Sequence, residues 1–221
     1  MANDAVRSPV LGELYQQYLV DQDTAAFVHR TRGRYTVATL ARLAAIGDRL
    51  VRRAAILALG FMADYESNST LGRALNDPDR GVRLLAENGI RALWCRVGDT
   101  NHRQRLARAT SLNNSQQAIA ALREATSLTH DAPWLAEGWN QRAIAHFALN
   151  RYSESIRDCR QALEINPYHF AAAAGMGRCY LRLGDLPAAL ECFRRALGLN
   201  PELEEVRAQA QQLERALKRK K

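Results

Sequence analysis

The fold of this chain is decided by two stretches, WNQRAIAHFALNRYSESIRDCRQALEINP (139–167) and AGMGRCYLRLGDLPAALECFRRALGLNP (174–201). Both end in Asn-Pro, and Pro167 and Pro201 are 34 residues apart. Apolar residues recur at helical spacing within each stretch. A fixed period of this length is typical of repeat architectures, in which each repeat is one supersecondary unit.

A polar break divides each stretch into two apolar-periodic halves. The breaks are Asn150-Arg151 and Gly184-Asp185. Gly and Asn readily adopt the left-handed backbone conformation that ends a helix, so each break predicts a turn between two helices. The two stretches therefore predict two helical hairpins in tandem.

These hairpins resemble tetratricopeptide repeats (TPRs). The matching positions are Trp139, Ala143, Ala162 and Pro167 in the first stretch and Gly177, Tyr180, Ala189, Phe193, Ala196 and Pro201 in the second. The resemblance implies that small residues let helices A and B of one repeat approach closely, while large residues fill the gaps to the next repeat. His146, Ser155 and Cys159 depart from the pattern, where Tyr, Ala and a large apolar residue are usual.

Weaker helical signals flank the two repeats. SQQAIAALREATSL (115–128) resembles a TPR helix B, with a poorly patterned first helix around HRQRLARATSL (102–112). ELEEVRAQAQQLERALKR (202–219) keeps an apolar rhythm through Leu203, Val206, Leu213 and Leu217. We interpret the first pair as a degenerate repeat and the last helix as the cap that a solenoid needs over its final apolar face.

The first half of the chain carries a shorter period. GDRLVRRAAILALG (47–60) and PDRGVRLLAENGIR (78–91) superpose with an offset of 31 residues. The phrase LNDPDRGVRLLAENGIRALW (75–94) resembles a HEAT repeat of the short bacterial type, in which Asp-Pro separates two helices. A further helical pair is predicted over LGELYQQYLV (11–20) and DTAAFVHRT (23–31), with Asp23 or Thr24 as N-cap.

The expected fold is therefore an all-α solenoid of helical hairpins. Residues 1–98 are predicted to form HEAT-like repeats, and residues 99–221 about three TPRs, the first degenerate, followed by the capping helix. The combination resembles bacterial proteins that join a few HEAT repeats to a few TPRs. Fold alone does not specify function.

Composition argues against export and against a charge-driven partner. No basic start followed by an apolar stretch opens the chain, and no run long enough to span a membrane occurs, so we expect a cytoplasmic protein. The net charge is +8, and the last four residues, Lys218, Arg219, Lys220 and Lys221, supply half of it. The scattered cysteines have no CxxC spacing and are interpreted as core residues.

No grouping of catalytic residues is recognisable. Gly175 and Gly177 lie in a TPR helix rather than in a phosphate loop, and the five histidines show no metal-ligand spacing. Cys95 has no predicted histidine partner. We predict neither enzymatic activity nor a cofactor or metal. The short HEAT repeats also resemble those of phycobilin lyases, which leaves that activity as an alternative.

The TPR resemblance implies a binding groove lined by the first helix of each repeat. The residues it selects are Glu137, Asn140, Ile144 and Phe147, then Ala171, Ala174, Arg178 and Leu181, with Arg182 at the end of the face. An apolar ledge beside one cation and one amide suits an extended peptide or a helix, with Arg178 available to a carboxylate. The set does not reproduce the Lys- and Asn-rich clamp for the acidic C-termini of heat-shock chaperones.

The predicted function is therefore that of a protein-protein interaction scaffold whose partner is an unidentified protein or peptide. The alternative is an RNA- or DNA-associated scaffold that uses Arg residues and the basic C-terminal tail. Self-association through an incompletely capped end is a further alternative.

Overall fold

The computed structural model describes residues 10–219. These residues form thirteen α-helices and one short 3-10 helix, with no strand among them, so the predicted all-α fold is confirmed. The helices are α1 (Val10–Asp21), α2 (Thr24–Arg32), α3 (Val37–Ile46), α4 (Arg49–Met62), α5 (Asn68–Ala74), α6 (Arg80–Arg96), α7 (Thr100–Asn114), α8 (Ala118–Asp131), α9 (Ala136–Ala148), α10 (Tyr152–Ile165), α11 (Phe170–Arg182), α12 (Leu186–Leu199) and α13 (Glu204–Arg219), and the 3-10 helix is Tyr65–Ser67.

The chain divides into two compact units. One ends at Leu93 and the other begins at Trp94, so the division falls inside α6. The sequence places its boundary slightly later, between residues 98 and 99, in the connection that follows α6. The HEAT-like character of the first half stays a prediction.

The first unit begins with the helical pair predicted near the N-terminus. Helices α1 and α2 cover the two predicted segments. Of the two candidate N-cap residues, Asp23 takes the role, because its Oδ1 accepts a hydrogen bond from the Ala26 N–H at 2.9 Å. Leu11 and Phe27, from the two helices, are both buried.

Paired charges tie the loop between α5 and α6 to helix α4. Arg52 makes two hydrogen bonds to the Asp77 carboxylate, at 2.8 and 2.9 Å, and Arg53 makes two to Asp79, at 2.6 and 2.8 Å. Asp79 Oδ1 also accepts the Val82 N–H at 3.0 Å, which caps the start of α6. Bidentate pairs of this kind fix geometry as well as charge. The predicted Asp-Pro break thus lies in a loop anchored by two arginines.

Helices α4 and α6 approach each other closely at two glycines. A Cβ added to Gly60 would lie 2.9 Å from the Gly89 Cα, which is closer than real Cβ atoms come. The two backbones are in direct contact there, so neither position accommodates a side chain without movement. The two glycines therefore serve a close backbone contact between α4 and α6.

In the second unit, three hairpins repeat with one turn geometry. The residues with positive φ between paired helices are Gln116 (58°), Asn150 (59°) and Gly184 (81°), each 34 residues from the next. In each turn the following N–H bonds back to a carbonyl five residues earlier, in the pairs Gln117 to Leu112, Arg151 to His146 and Asp185 to Tyr180. The α7–α8 hairpin, which is weak in sequence, therefore repeats the geometry of the other two.

Small residues pack against large ones within these hairpins. A Cβ on Gly177 of α11 would collide with the ring of Phe193 of α12, and Phe193 is fully buried. Ala189 and Ala196 are also fully buried in the same core. The packing logic implied by the TPR resemblance is thus realised between α11 and α12.

Helix α13 covers the apolar face of α12. Its buried residues are Val206, Ala210 and Leu213. Leu203 and Leu217 are partly buried against the same core, so the predicted apolar rhythm packs as a single face. Of the basic tail, Lys218 and Arg219 are exposed, and the predictions for Lys220 and Lys221 lie outside the described residues.

Candidate partner-binding groove

A cavity of about 160 Å³ lies between α9, α10 and α11. It is lined by Asn140, Ala143, Ile144, Phe147, Ser155, Cys159, Ala171, Gly175 and Arg178. Five of these residues, Asn140, Ile144, Phe147, Ala171 and Arg178, belong to the groove set selected from the sequence. Pockets for drug-sized ligands start at about 300 Å³, so this cavity suits one side chain better than a cofactor.

The rim of the cavity combines an apolar ledge with a cation. Ile144 is 42% exposed, and Phe147 is partly buried with its ring centroid 5.5 Å from that of Tyr152. Arg178 is exposed on α11, and within residues 10–219 it forms no ion pair. The rim therefore offers apolar contact next to an available positive charge.

The remaining predicted groove residues do not line the cavity. Glu137 and Ala174 are buried, and Ala174 belongs to the core of the second unit. Leu181 is partly buried against that core. Arg182 holds its guanidinium 5.5 Å above the ring of Tyr152, in cation–π contact. The structure thus places these four side chains outside the lining of the cavity.

The sequence reasoning missed the contribution of helix α10 to the cavity. Ser155 and Cys159 form part of its wall, whereas the sequence predicts Cys159 as a core residue and gives Ser155 no role. They are also two of the departures from the TPR pattern, and Cys159 replaces a large apolar side chain. A smaller residue at such a position leaves unfilled volume between helices. The departure at Cys159 was therefore the signal that could have located the cavity.

The thiols of Cys159 and Cys179 are not poised for nucleophilic chemistry. Burial raises the pKa values of both Cys159 and Cys179, which keeps the thiols protonated. Cys179 Sγ donates to Ser155 Oγ at 3.2 Å, and Ser155 Oγ donates to the Ala143 carbonyl at 2.8 Å. These groups are committed to packing and internal hydrogen bonds.

Glu137 is a buried carboxylate directly behind the cavity. Its Oε1 accepts from Asn140 Nδ2 at 3.0 Å and from Gln141 Nε2 at 2.7 Å, and its Oε2 lies 2.9 Å from His169 Nε2. Burial raises the pKa of Glu137, but the interactions with His169, Gln141 and Asn140 outweigh burial and leave the pKa below its usual value. Glu137 is therefore an ionised, buried carboxylate that holds its three neighbours by hydrogen bonds. Trp94 stacks on the His169 ring, with centroids 4.3 Å apart.

His146, at the usual Tyr position, is packed rather than in the groove. Burial lowers the pKa of its imidazole, and its Nε2 lies 3.7 Å from Asp158 Oδ2. Asp158 is itself held by two hydrogen bonds from Arg142, at 2.6 and 2.8 Å. Arg142 in turn lies 4.5 Å from the centre of the Trp139 ring. This cluster joins α9 to α10 and is structural.

Residues 10–219 contain neither a metal-binding cluster nor a membrane-spanning helix. No group of three or more His, Cys, Asp or Glu side chains there is arranged to hold a metal ion. None of the described helices is long and apolar enough to cross a membrane.

Comparison with known proteins identifies one matching family model and several relatives. The tetratricopeptide repeat model matches residues 136–169 and 171–203. A TPR repeat-containing protein of Rhizobium etli is 30% identical over 128 residues, covering 57% of this chain and 60% of that protein. The protein SGT1 homolog of Bos taurus is 35% identical over 85 residues, and the match covers 38% of this chain and 25% of the length of that protein. The chain thus spans only part of the length of these relatives.

Solved structures show the same fold. The first TPR of Spaghetti (RPAP3), bound to the HSP90 peptide SRMEEVD, superposes with a TM-score of 0.52 at 21% identity and covers 55% of this chain and 96% of its own. The first TPR domain of the human RPAP3 protein gives 0.51 at 21% identity, with 54% and 94% coverage. Over residues 136–169 and 171–203 the period, turns and packing match those of tetratricopeptide repeats.

Proposed function

We propose that this protein is a protein-protein interaction adaptor that binds an extended segment of its partner in the groove formed by α9 and α11. The observation that carries the proposal is the cavity lined by Asn140, Ile144, Phe147 and Arg178. An apolar recess with a few convergent polar groups is the usual form of a recognition site.

The residues around the cavity indicate which kind of partner segment fits there. The recess holds one apolar side chain, and Arg178, which is exposed and forms no ion pair in residues 10–219, suits a neighbouring carboxylate. The RPAP3 repeat domain of the same fold is bound to a peptide, so a domain of this fold is able to hold a peptide ligand. The ligand class of RPAP3 is not carried over, because the Lys- and Asn-rich clamp is absent from the groove residues of this sequence.

An affinity capture with matched variants tests the proposal. The full chain serves as bait in nuclease-treated extract, and captured proteins are identified by mass spectrometry. Gly175→Leu fills the cavity, because a Cβ at this position would already lie 3.2 Å from Cys159 Sγ. Arg178→Glu reverses the charge at the rim. We expect each variant to lose the partner captured by the wild-type chain.

Two control variants make the same chemical changes away from the cavity. Gly198→Leu is on an exposed position of α12 with no atom within 4 Å of the added Cβ, and Arg195→Glu reverses an exposed charge on the same helix. Both should retain the partner, and thermal unfolding followed by circular dichroism should show all four variants folded. Retention of the partner by the Gly175→Leu/Arg178→Glu double variant would contradict the groove assignment.

The nuclease treatment separates this function from the alternative of a nucleic-acid scaffold. A partner that disappears with nuclease would favour the alternative. Binding through the four basic tail residues would then weaken with salt at a log-log slope of about −3.6. A chain with these four residues changed to Gln would lose that slope. Cytoplasmic location and the lack of catalytic activity remain part of the proposal.

A further inference from the structure

The buried Glu137 network determines how Asn140 faces the cavity. Glu137 is 8% exposed and His169 is fully buried, so this network has little access to water. An ionised carboxylate only accepts hydrogen bonds, whereas a carboxamide has a donating and an accepting end. The chemistry of Glu137 therefore fixes the orientation of the amide next to it.

The tautomer of His169 follows from the hydrogen bonds of its two ring nitrogens. The Ala172 N–H, in the first turn of α11, donates to His169 Nδ1 at 3.2 Å, so Nδ1 carries no proton. The proton is then on Nε2, which donates to Glu137 Oε2 at 2.9 Å. Both oxygens of the Glu137 carboxylate therefore accept hydrogen bonds, Oε2 from His169 and Oε1 from Asn140 and Gln141. Asn140 must therefore turn its NH2 group towards Glu137.

The orientation of the Asn140 amide determines which of its atoms is available in the cavity. Its Nδ2 is bonded to Glu137 Oε1 at 3.0 Å, while within residues 10–219 its Oδ1 has no hydrogen-bond partner. Asn140 is also part of the cavity lining. The accepting end of the amide is thus the end left for a ligand.

We propose that Asn140 Oδ1 accepts a hydrogen bond from a backbone N–H of the bound segment. Glu137 is the positioning residue that keeps this oxygen directed towards the groove. This inference rests on the proposed function and narrows it. The partner would be an extended peptide with an apolar side chain in the cavity, a free backbone N–H at Asn140 Oδ1 and an acidic side chain near Arg178. A segment with Pro or an N-methylated residue at that N–H is disfavoured, because it has no proton to donate.

A backbone-methylation experiment tests this inference. An array of acetylated octapeptides, each with one Leu and one Asp placed in every register, is probed with the full chain. The tightest binder is then synthesised with each backbone N–H replaced in turn by N–CH3. One position should lose about tenfold in affinity for the wild-type chain, the effect of one hydrogen bond. For Asn140→Ala, methylation at the same position should change affinity less than about twofold, because the acceptor is gone.

The role of Glu137 is tested by Glu137→Gln, which keeps the shape but allows the Asn140 amide to turn. We expect this variant to bind the unmethylated peptide and to lose most of the methylation penalty. Glu164→Gln, on an exposed position of α10, is the matched control and should keep the full penalty. A purely structural role for Glu137 would instead weaken both peptides equally.

The outcomes distinguish this inference from the proposed function. Equal methylation penalties in wild-type, Asn140→Ala and Glu137→Gln chains would overturn the acceptor assignment while leaving peptide binding in the groove. Binding of no array peptide would overturn the peptide groove itself. A penalty confined to chains that carry both Glu137 and Asn140 supports the inference.

Discussion

In residues 10–93, helix α4 meets α6 through direct backbone contact and holds the loop before α6 by paired charges, whereas in residues 94–219 helix α12 packs a large side chain against a glycine of α11. Gly60 against Gly89 and the Arg53–Asp79 pair represent the first mode, and Phe193 over Gly177 represents the second. The second mode leaves space wherever a large residue is replaced by a smaller one. Cys159 is such a replacement, and the cavity lies beside it.

The largest expected effect is on the side-chain packing of the second unit. Phe193→Ala removes a fully buried ring and should lower the free energy of unfolding by about 3–5 kcal/mol. Urea denaturation of the full chain measures the loss, and hydrogen exchange should locate it in α11 and α12 rather than in α4. Leu183→Ala, at a residue 51% exposed, should change stability by less than about 0.5 kcal/mol. Equal losses for the two variants would contradict the packing described.

The backbone contact of the first unit should be next in size. Gly60→Ala places a methyl group 2.9 Å from the Gly89 Cα, so α4 and α6 must separate. We expect a loss of about 1–3 kcal/mol, measured by thermal unfolding. Gly198→Ala is the matched control in an open helix position and should stabilise the chain by up to about 1 kcal/mol. Stabilisation by Gly60→Ala would show that the contact is not close.

The paired charges of the first unit predict a dependence of stability on pH. The hydrogen bonds from Arg53 lower the pKa of Asp79 to about 2, below the value of about 3.9 in an unfolded chain. The pair therefore contributes fully above about pH 4, and its contribution, about 1–2 kcal/mol once water near the pair is allowed for, is lost as the pH falls through about 2.

Asp79→Asn tests this dependence by removing the titrating group. Urea unfolding between pH 5 and pH 2 should show a smaller loss of stability for this variant than for the wild-type chain. Asp64→Asn, at an exposed position, is the control and should follow the wild-type curve. If stability falls equally with pH in all three proteins, the Arg53–Asp79 pair does not contribute to the pH dependence of stability.

The smallest effect concerns the turns of the repeated hairpins. Asp185 caps α12 by accepting the Ala188 N–H at 3.0 Å, whereas Arg151 occupies the equivalent position before α10 with a similar backbone but no side-chain cap. Arg151→Asp should therefore add about 1 kcal/mol to stability, measured by thermal unfolding. Arg151→Ala distinguishes a new cap from the simple loss of Arg, because it should not reproduce the gain.

Much of the fold is readable from the sequence because its signals are local. The 34-residue interval, the Asn150 and Gly184 turns and the apolar rhythm of α13 all come from neighbouring residues. The α7–α8 hairpin was harder to identify, because its turn residue, Gln116, gives no sequence signal for positive φ. The turn, closed by the hydrogen bond from the Gln117 N–H to the Leu112 carbonyl, holds Gln116 in a conformation that its residue type does not favour.

The site was predicted in part. The TPR resemblance implied that Asn140, Ile144, Phe147 and Arg178 face one groove, and these four residues line the cavity. The resemblance could not show that Glu137, in the same predicted set, is buried. Burial depends on what packs against a helix, and here that includes His169, 32 residues further along the chain.

The sequence by itself thus determined the helices, their pairing and the repeat period, because propensity, turn residues and apolar spacing act over a few residues. Only the tertiary structure decided where volume is left over and which polar groups satisfy one another. The cavity depends on the summed volumes of side chains from three helices, and the Glu137–His169 contact depends on distant residues meeting in space. Neither quantity is a property of a local stretch of sequence.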